Sequence, residues 1–270
     1  MLTRYTSYRF LFFSIGLLIS SFAYAQAGDK QLIEPILIDK SALSGVGLRK
    51  VKLPNEPNRA FFQKNVYRGT DISVYVISSE TASTNFQPMP FDEFIYLLNG
   101  RAHISPDGKD DYYFNSGDFI IAPRGYRGKW EVIGGHKYHL ELSVITNARS
   151  TENTTDLKIP TAIDPSLLSG TSIETMDSDG KKEYLPQQVL KGSELHIWIQ
   201  AEPIQQKVIK YQENETFIHV LAGMVAIQPA KGEVQIFYPG DFFILPKGFT
   251  GIWESKGKHL FRSLRIEKAW

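Results

Sequence analysis

One pattern of residues occurs twice in this chain, and this repeat limits the folds that the chain can adopt. Residues 93–130 align without a gap with residues 216–253, and 15 of the 38 aligned positions are identical at an offset of 123. Upstream, VYRGTDISVYVIS from Val66 matches VLKGSELHIWIQA from Val189 at the same offset, and IDKSALSG from Ile38 matches IDPSLLSG from Ile163 at an offset of 125. Self-similarity of this extent predicts two homologous units in tandem.

Each unit has the residue pattern of β structure. Short runs rich in Val, Ile, Phe and Tyr, such as ISVYVI, FIYLL, LHIWI and DFFIL, alternate with Gly, Pro, Asn and Asp. These runs recur at a spacing of about ten residues, which is typical of antiparallel strands joined by tight turns. No long window has a helical period. The sequence therefore predicts an all-β fold in which each unit is a sandwich or a small barrel.

The N-terminus has the features of an export signal. Residues 1–9 carry two arginines and no acid, residues 10–20 are almost wholly apolar, and an Ala-Tyr-Ala cleavage site ends at Ala25. A bilayer span needs about 20 apolar residues, so we favour cleavage after Ala25, with Ala27 as the alternative site, over an uncleaved anchor. We predict an exported protein, periplasmic or secreted, with no membrane attachment after cleavage.

The domain plan that follows has four parts. They are a signal peptide at residues 1–25, an N-terminal unit at 26–145, a linker at 146–160 and a C-terminal unit at 161–270. The linker contains the stretch TNARSTENTTDLK, whose Thr, Asn and charged residues are typical of a connection between domains.

Composition excludes several classes of function. The chain has 30 Lys and Arg, of which two lie in residues 1–25, so 28 basic residues face 29 acidic ones in the exported form. With this balance and no basic run, we expect no nucleic-acid partner. The absence of cysteine excludes disulfides, thiolate metal sites and a cysteine nucleophile. A metal would therefore need His, carboxylate or amide ligands.

A motif present in both units resembles a known family. The pattern G-D-F-x-x-x-P-x-G-x-x-G-x-W spans residues 117–130 and again residues 240–253. It is similar to the second conserved motif of the cupins, and Glu93 upstream of Gly100 resembles the end of their first motif. The terminal Gly and Trp resemble the branch named after ureidoglycine aminohydrolase. The resemblance implies a bicupin, with two jelly-roll barrels in one chain and a homodimer as one expected assembly.

The metal ligands that the resemblance implies are missing from their positions. Metal-binding cupins place two His, a Glu and a later His inside the barrel, a set that suits divalent transition metals. In the first unit the four positions hold Gln87, Met89, Glu93 and Gly128. In the second unit they hold Lys210, Gln212, Thr216 and Gly251. We therefore predict no metal site and no cofactor, and manganese, which ureidoglycine aminohydrolases bind, would need other ligands here.

The histidines do not supply an obvious replacement set. His136 and His139 are three residues apart, and an odd spacing on a strand sends two side chains to opposite faces. His219 has the opposite parity to Thr216, which occupies the inward position, so we expect it to point away from the barrel interior. The remaining three occur singly, at His103, His196 and His259. We expect structural or surface roles for all of them.

Six residues are candidates for binding a ligand, namely Glu93, Gln87, Trp130, Lys210, Gln212 and Trp253. A carboxylate inside an apolar barrel needs a polar partner or a raised pKa, and Glu93 would then serve as a polar anchor or as a general acid or base. The alternative is a carboxylate at the barrel rim that pairs with Arg127 or Lys137.

The other candidates also have two interpretations. Trp130 and Trp253 either close one end of each barrel as core residues or form the wall of a ligand pocket. Lys210 and Gln212 share inward parity with Thr216, but solvated rim residues would show the same pattern.

Three functions are consistent with these observations. The leading hypothesis is an exported bicupin that binds a small polar molecule without the usual metal. The first rival is a hydrolase or isomerase that resembles ureidoglycine aminohydrolase and has a remodelled site, and the second is a structural or oligomerisation module. We expect the N-terminal unit to hold the pocket, because it has Glu93 where the C-terminal unit has Thr216.

Overall fold

A computed structural model describes residues 33–54, 56–151, 157–178, 181–258 and 260–269. The predicted signal peptide and His259 lie outside these residues, as do residues 152–156 of the predicted linker. Within them, none of the helices has the length and apolar character that a bilayer span requires.

The described residues form many short strands and two single-turn helices. The first half of the chain contains β1 Ile36–Leu37, α1 Lys40–Leu43, β2 Arg49–Lys50, β3 Phe61–Arg68, β4 Ile72–Glu80, β5 Ala82–Phe86, β6 Glu93–Asn99, β7 Arg101–Pro106, β8 Tyr112–Asn115, β9 Phe119–Ala122, β10 Gly128–Ile133 and β11 Tyr138–Thr146. The second half contains β12 Thr161–Ala162, α2 Pro165–Ser169, β13 Thr175–Ser178, β14 Lys181–Tyr184, β15 Gln187–Lys191, β16 Leu195–Pro203, β17 Gln206–Ile209, β18 Thr216–Ala222, β19 Met224–Pro229, β20 Gln235–Phe237, β21 Phe242–Leu245, β22 Gly251–Lys256 and β23 Leu260–Lys268.

The strands build two units with the same plan, which confirms the predicted pair of jelly-roll barrels. The N-terminal unit has a larger sheet in the order β12-β9-β6-β11-β4-β3-β2 and a smaller sheet in the order β5-β10-β7-β8. The C-terminal unit has a larger sheet in the order β1-β21-β18-β23-β16-β15 and a smaller sheet in the order β17-β22-β19-β20. The pairing is antiparallel throughout the described ladders, as in β6 with β9 and β18 with β21.

Each barrel encloses a hydrophobic cluster between its larger and its smaller sheet. In the N-terminal barrel, Ile95 of the larger sheet and Trp130 of the smaller sheet belong to one buried cluster. In the C-terminal barrel, Ile218 and Trp253 occupy the corresponding places. Because side chains alternate between the faces of a strand, residues two positions from Ile95 and Ile218 also face the barrel interior. Glu93 and Thr216 are such residues.

The opposite faces of the two larger sheets pack against each other. Phe94 and Phe217, each one position from an inward residue, are fully buried with ring centroids 6.0 Å apart. His219 lies in this layer, as its parity predicts, with its ring stacked 4.0 Å from that of Phe242. Burial lowers the pKa of His219 to about 4, so its ring is neutral at neutral pH. The two barrels therefore share one core.

A strand from the segment before each unit joins the sheet of the other unit. In the pair β1 and β21, Ile36 lies opposite Ile244, and in the pair β12 and β9, Thr161 lies opposite Ile121. These two pairings are equivalent under the internal repeat. Neither larger sheet therefore consists only of strands from one continuous half of the chain.

Two carboxylates reinforce the junction in the same reciprocal way. Asp92 accepts hydrogen bonds from the backbone N–H of Glu194 at 2.8 Å and of Arg124 at 2.8 Å. Its repeat equivalent Glu215 accepts from the backbone N–H of Thr70 at 2.7 Å and of Asp71 at 3.0 Å.

The close approach of these carboxylates explains two repeated glycines. A Cβ atom on Gly69 would lie 2.0 Å from Glu215 Oε2, and one on Gly192 would lie 2.3 Å from Asp92 Oδ2. Each glycine therefore leaves the space that a carboxylate of the other unit needs.

Candidate functional site

The interior of the N-terminal barrel carries a line of polar side chains on β11. Leu142 and Val144 of this strand belong to the core between the barrels, so His139, Glu141 and Ser143 face the barrel interior. On the neighbouring strand β6, Glu93 faces the same interior.

Glu93 is held by a neighbouring hydroxyl and not by a cation at the rim. The Ser143 hydroxyl donates a hydrogen bond to Glu93 Oε1. Burial raises the pKa of Glu93 to about 8, and the nearby Glu141 carboxylate adds to the rise, while the Ser143 hydrogen bond and the Arg149 charge oppose it. At neutral pH the Glu93 carboxyl is therefore mostly protonated and can donate a hydrogen bond.

The two rim cations considered for Glu93 have other neighbours. The Arg127 guanidinium donates to Gln87 at 3.3 Å, and the Lys137 ammonium lies 5.2 Å from the centre of the Tyr138 ring. Between described residues, neither of them forms an ion pair with Glu93.

Glu141 belongs to a second chain of contacts inside the same barrel. Glu141 Oε2 lies 3.0 Å from His139 Nε2, and His139 Nδ1 lies 3.2 Å from the Ser79 hydroxyl. Arg59 Nη2 donates to the same hydroxyl at 3.1 Å. His139 is only 2% exposed. The His139 ring thus lies between the Ser79 hydroxyl and the Glu141 carboxylate, although its Nε2 atom forms no hydrogen bond within the described residues.

The sequence pattern did not identify Glu141, and it indicated only a structural or surface role for His139. The available signal was the alternation of His139, Glu141 and Ser143 along one strand, three polar side chains on the face that a barrel normally fills with apolar ones.

The other candidates of the N-terminal unit lie in different surroundings. Gln87 is exposed, and its amide nitrogen lies 3.5 Å from Asp107 Oδ2. Trp130 is 8% exposed and packs in the hydrophobic cluster of the barrel. In the part of the chain that the structure covers, no hydrogen bond joins Gln87 to Glu93.

The interior of the C-terminal barrel carries a cation at an equivalent position. Arg265 lies opposite Ile218, as Ser143 lies opposite Ile95, so the repeat places Arg265 where the first barrel has Ser143. Its guanidinium carbon lies 5.1 Å from the centre of the Trp253 ring, and its Nε donates to the Ser263 hydroxyl at 3.0 Å. Burial lowers the pKa of Arg265, an effect that the charges of Glu202 and Glu267 oppose.

The three candidates for ligand binding in the C-terminal unit lie in different surroundings. Trp253 is 1% exposed, and its indole N–H donates to Glu202 Oε1 at 2.6 Å. Gln212 is half-buried and donates from Nε2 to the Thr216 hydroxyl at 2.8 Å. Lys210 is exposed. Gln212 and Trp253 thus donate hydrogen bonds to side chains of the barrel strands, whereas Lys210 lies at the surface.

The residues at the cupin metal positions do not fit a divalent metal. Met89 is buried in the hydrophobic cluster, Gln87 is exposed, and Glu93 is the one carboxyl among them. In the described ranges, no group of three or more His, Asp or Glu side chains is arranged to hold a metal ion. That the chain works without a metal stays a prediction.

Comparison of the sequence with family profiles identifies the family. The profile of the EutQ-like cupin domain matches residues 70–137 and residues 192–260, once in each unit. The chain belongs to this cupin family and contains the domain twice. No curated protein matches the sequence significantly.

Comparison with solved structures gives similar folds over most of this chain. A protein of unknown function from Pseudomonas syringae pv. tomato has a TM-score of 0.59 at 14% identity, over 86% of this chain and 98% of its own. A cupin 2 conserved barrel domain protein from Leptotrichia buccalis has a TM-score of 0.53 at 12% identity, over 88% of this chain and 97% of its own. A salicylate 1,2-dioxygenase from Pseudaminobacter salicylatoxidans has a TM-score of 0.54 at 13% identity, over 88% of this chain and 85% of its own. At such identities these similarities establish the fold alone.

Proposed function

We propose that this chain is an exported bicupin that binds a small polar molecule inside its N-terminal barrel, with Glu93 as the polar anchor and without the usual cupin metal. The observation that carries the proposal is the inward carboxyl of Glu93, bonded to Ser143 and influenced by the charge of Glu141. Export rests on the residues of the N-terminal 25 positions.

The polar groups of this barrel define the chemistry of the ligand. A protonated Glu93 both donates and accepts hydrogen bonds, whereas the Glu141 carboxylate only accepts them. An anionic ligand would be repelled by Glu141 at short range in a partly desolvated interior. We therefore expect a neutral or cationic molecule with at least one N–H donor, such as an amide, a ureide or an amine.

One observation favours the enzymatic alternative, a hydrolase or isomerase with a remodelled site. A carboxyl with a pKa of about 8 beside a second carboxyl resembles the arrangement in which enzymes set a general acid against a general base. The two hypotheses differ in one measurement, because turnover would depend on the ionisation of Glu93 and would be lost in Glu93→Gln.

Calorimetric titration of the purified protein with acetamide, allantoin and putrescine tests the binding hypothesis. We expect one of these probes to bind saturably, with at least tenfold weaker binding in Glu93→Gln and little change in Thr216→Ala, the variant at the equivalent position of the other barrel. Equal losses in both variants, or no saturable binding by any probe, would count against the proposal.

Metal analysis of the protein purified without chelators tests the metal-free part separately. We expect less than a tenth of an equivalent of manganese, iron or zinc per chain. A stoichiometric, tightly held metal would contradict this part and would require ligands other than the residues at the cupin positions.

A further inference from the structure

The C-terminal barrel contains a guanidinium that lacks an anionic partner. The Nη2 atom of Arg265 is buried and has no hydrogen-bond partner within the described residues. The described ion pairs closer than 4.0 Å do not include Arg265 either. Of its five N–H groups, the one with a described acceptor is Nε, which donates to Ser263 at 3.0 Å.

Such a group is costly to bury. Guanidinium stays charged in proteins, so Arg265 cannot escape desolvation by losing its proton. A buried charge normally has a counterion and hydrogen bonds to its remaining donors. The ring of Trp253, 5.1 Å from the guanidinium carbon, supplies a cation–π contact but no acceptor for the free N–H groups.

The two carboxylates that influence Arg265 are engaged by other donors. Glu202 accepts the indole N–H of Trp253 at 2.6 Å and the Lys207 ammonium at 2.8 Å. Glu267 accepts the Thr216 hydroxyl at 2.5 Å and the Asn214 amide at 3.3 Å. Both carboxylates thus lie near Arg265 without bonding to it, and the N–H fork is left for a group from outside the chain.

We propose that the C-terminal barrel binds a small organic carboxylate, whose two oxygens accept hydrogen bonds from Arg265. The planar fork of a guanidinium matches the geometry of a carboxylate. Trp198 lies directly across the ladder from Arg265 and is half-buried, so its ring offers an apolar surface for the organic part of the ligand. Arg265 as a whole residue is half-buried, so part of it remains at the accessible surface although its Nη2 atom is enclosed.

This site is distinct from the one proposed in the N-terminal barrel. In the first interior the Glu141 carboxylate would repel an anion, whereas in this one Glu202 and Glu267 are engaged by other donors and the Arg265 guanidinium has donors left for an anion. One chain would then hold two ligands of different charge, one in each barrel.

The test uses sodium acetate and sodium benzoate as probes, at an ionic strength kept constant with sodium chloride. We expect both to raise the thermal midpoint of the purified protein saturably above the chloride control, and to bind one equivalent in calorimetry. Arg265→Gln should weaken binding at least tenfold, whereas Arg68→Gln, which alters an exposed arginine, should leave it unchanged. Absence of any shift beyond chloride, or an equal shift in Arg265→Gln, would overturn the proposal.

A second variant covers the case in which Arg265→Gln does not fold. Arg265→Lys keeps the charge but removes the fork, and we expect carboxylate binding several-fold weaker than in the wild type. Binding equal to wild type in Arg265→Lys would overturn the two-oxygen contact. Glu93→Gln separates this proposal from the previous one, because it should leave acetate and benzoate binding intact even if it abolishes binding in the other barrel.

Discussion

The two barrels share a scaffold and differ in the charge of their interiors. Where the N-terminal barrel has Glu93 and Ser143, the C-terminal barrel has Thr216 and Arg265. The Gly-Asp-Phe motif, the closing Trp and the shared core are kept in both. The repeat preserves the residues that build a jelly roll, while the inward polar positions have diverged. Function is decided at such positions in a common fold.

The largest effect that we expect concerns the two tryptophans. Trp253→Ala should lower the free energy of unfolding by about 3–5 kcal/mol, because it leaves a large cavity and removes the donor to Glu202. Chemical denaturation monitored by circular dichroism would measure this. Trp130→Ala should cost a similar amount for the cavity.

Substitution by phenylalanine separates the cavity from the hydrogen bond. Trp253→Phe should lower the free energy of unfolding by about 1–3 kcal/mol more than the smaller side chain alone would, because Glu202 loses a hydrogen-bond donor. The Trp130 indole donates no described hydrogen bond, so Trp130→Phe should lack that cost. Equal losses in the two variants would show that the closing tryptophans are energetically equivalent despite the different interiors.

The next effect is a pH dependence specific to the N-terminal barrel. The folded state raises the pKa of Glu93 from 4.5 to about 8, so between these values the folded protein holds a proton that the unfolded chain has released. The contribution of Glu93 to stability is therefore complete below about pH 4.5 and is lost as the pH rises through 8, with a slope of up to about 1.4 kcal/mol per pH unit.

Urea denaturation between pH 7 and pH 8 isolates this contribution. Burial lowers the pKa of His219 from 6.5 to about 4, so this residue destabilises the fold as the pH falls below 6.5. Between pH 7 and pH 8 it hardly titrates. We expect the wild type to lose stability across the window and Glu93→Gln to lose much less. An unchanged slope in Glu93→Gln would mean that this carboxyl is ionised in the folded state.

The sequence predicted the scaffold well because the repeat and the strand spacing reflect the hydrophobic pattern of the fold. It singled out Glu93 through the family motif. It did not identify Arg265 or Glu141, because both lie on a strand after the second motif, where no motif marks inward positions and the parity depends on the pairing of β11 with β6 and of β23 with β18. The exchange of β1 and β12 between the units was equally hidden, because a two-residue strand carries no signal of which sheet it joins.

A smaller effect, opposite in sign, is expected for the C-terminal barrel in the absence of ligand. Arg265→Met replaces a buried charge that has a single described acceptor by an apolar chain of similar length, and we expect stability to rise by about 1 kcal/mol. Arg262→Met is the matched control on the same strand, since Arg262 donates to the Leu168 carbonyl at 2.8 Å. Loss of that bond should lower stability by about 1 kcal/mol. A destabilised Arg265→Met would indicate that Arg265 already has the partner we assign to a ligand.

The smallest effects should come from the two exposed candidates, Gln87 and Lys210. Their side chains lie at the surface, so Gln87→Ala and Lys210→Ala should each change the free energy of unfolding by less than about 0.5 kcal/mol. If the ligands bind to the inward groups of the barrels, these variants should also leave both titrations within about twofold of the wild type, a difference of less than roughly 0.5 kcal/mol. A tenfold loss of amide or ureide binding in Gln87→Ala would place that ligand at the rim, with its polar end toward Asp107 and Arg127 and not toward Glu93. The interior carboxyl of Glu93 would then act at a distance from the bound molecule, and the comparison would be between the mouth of the N-terminal barrel and the interior of the C-terminal one.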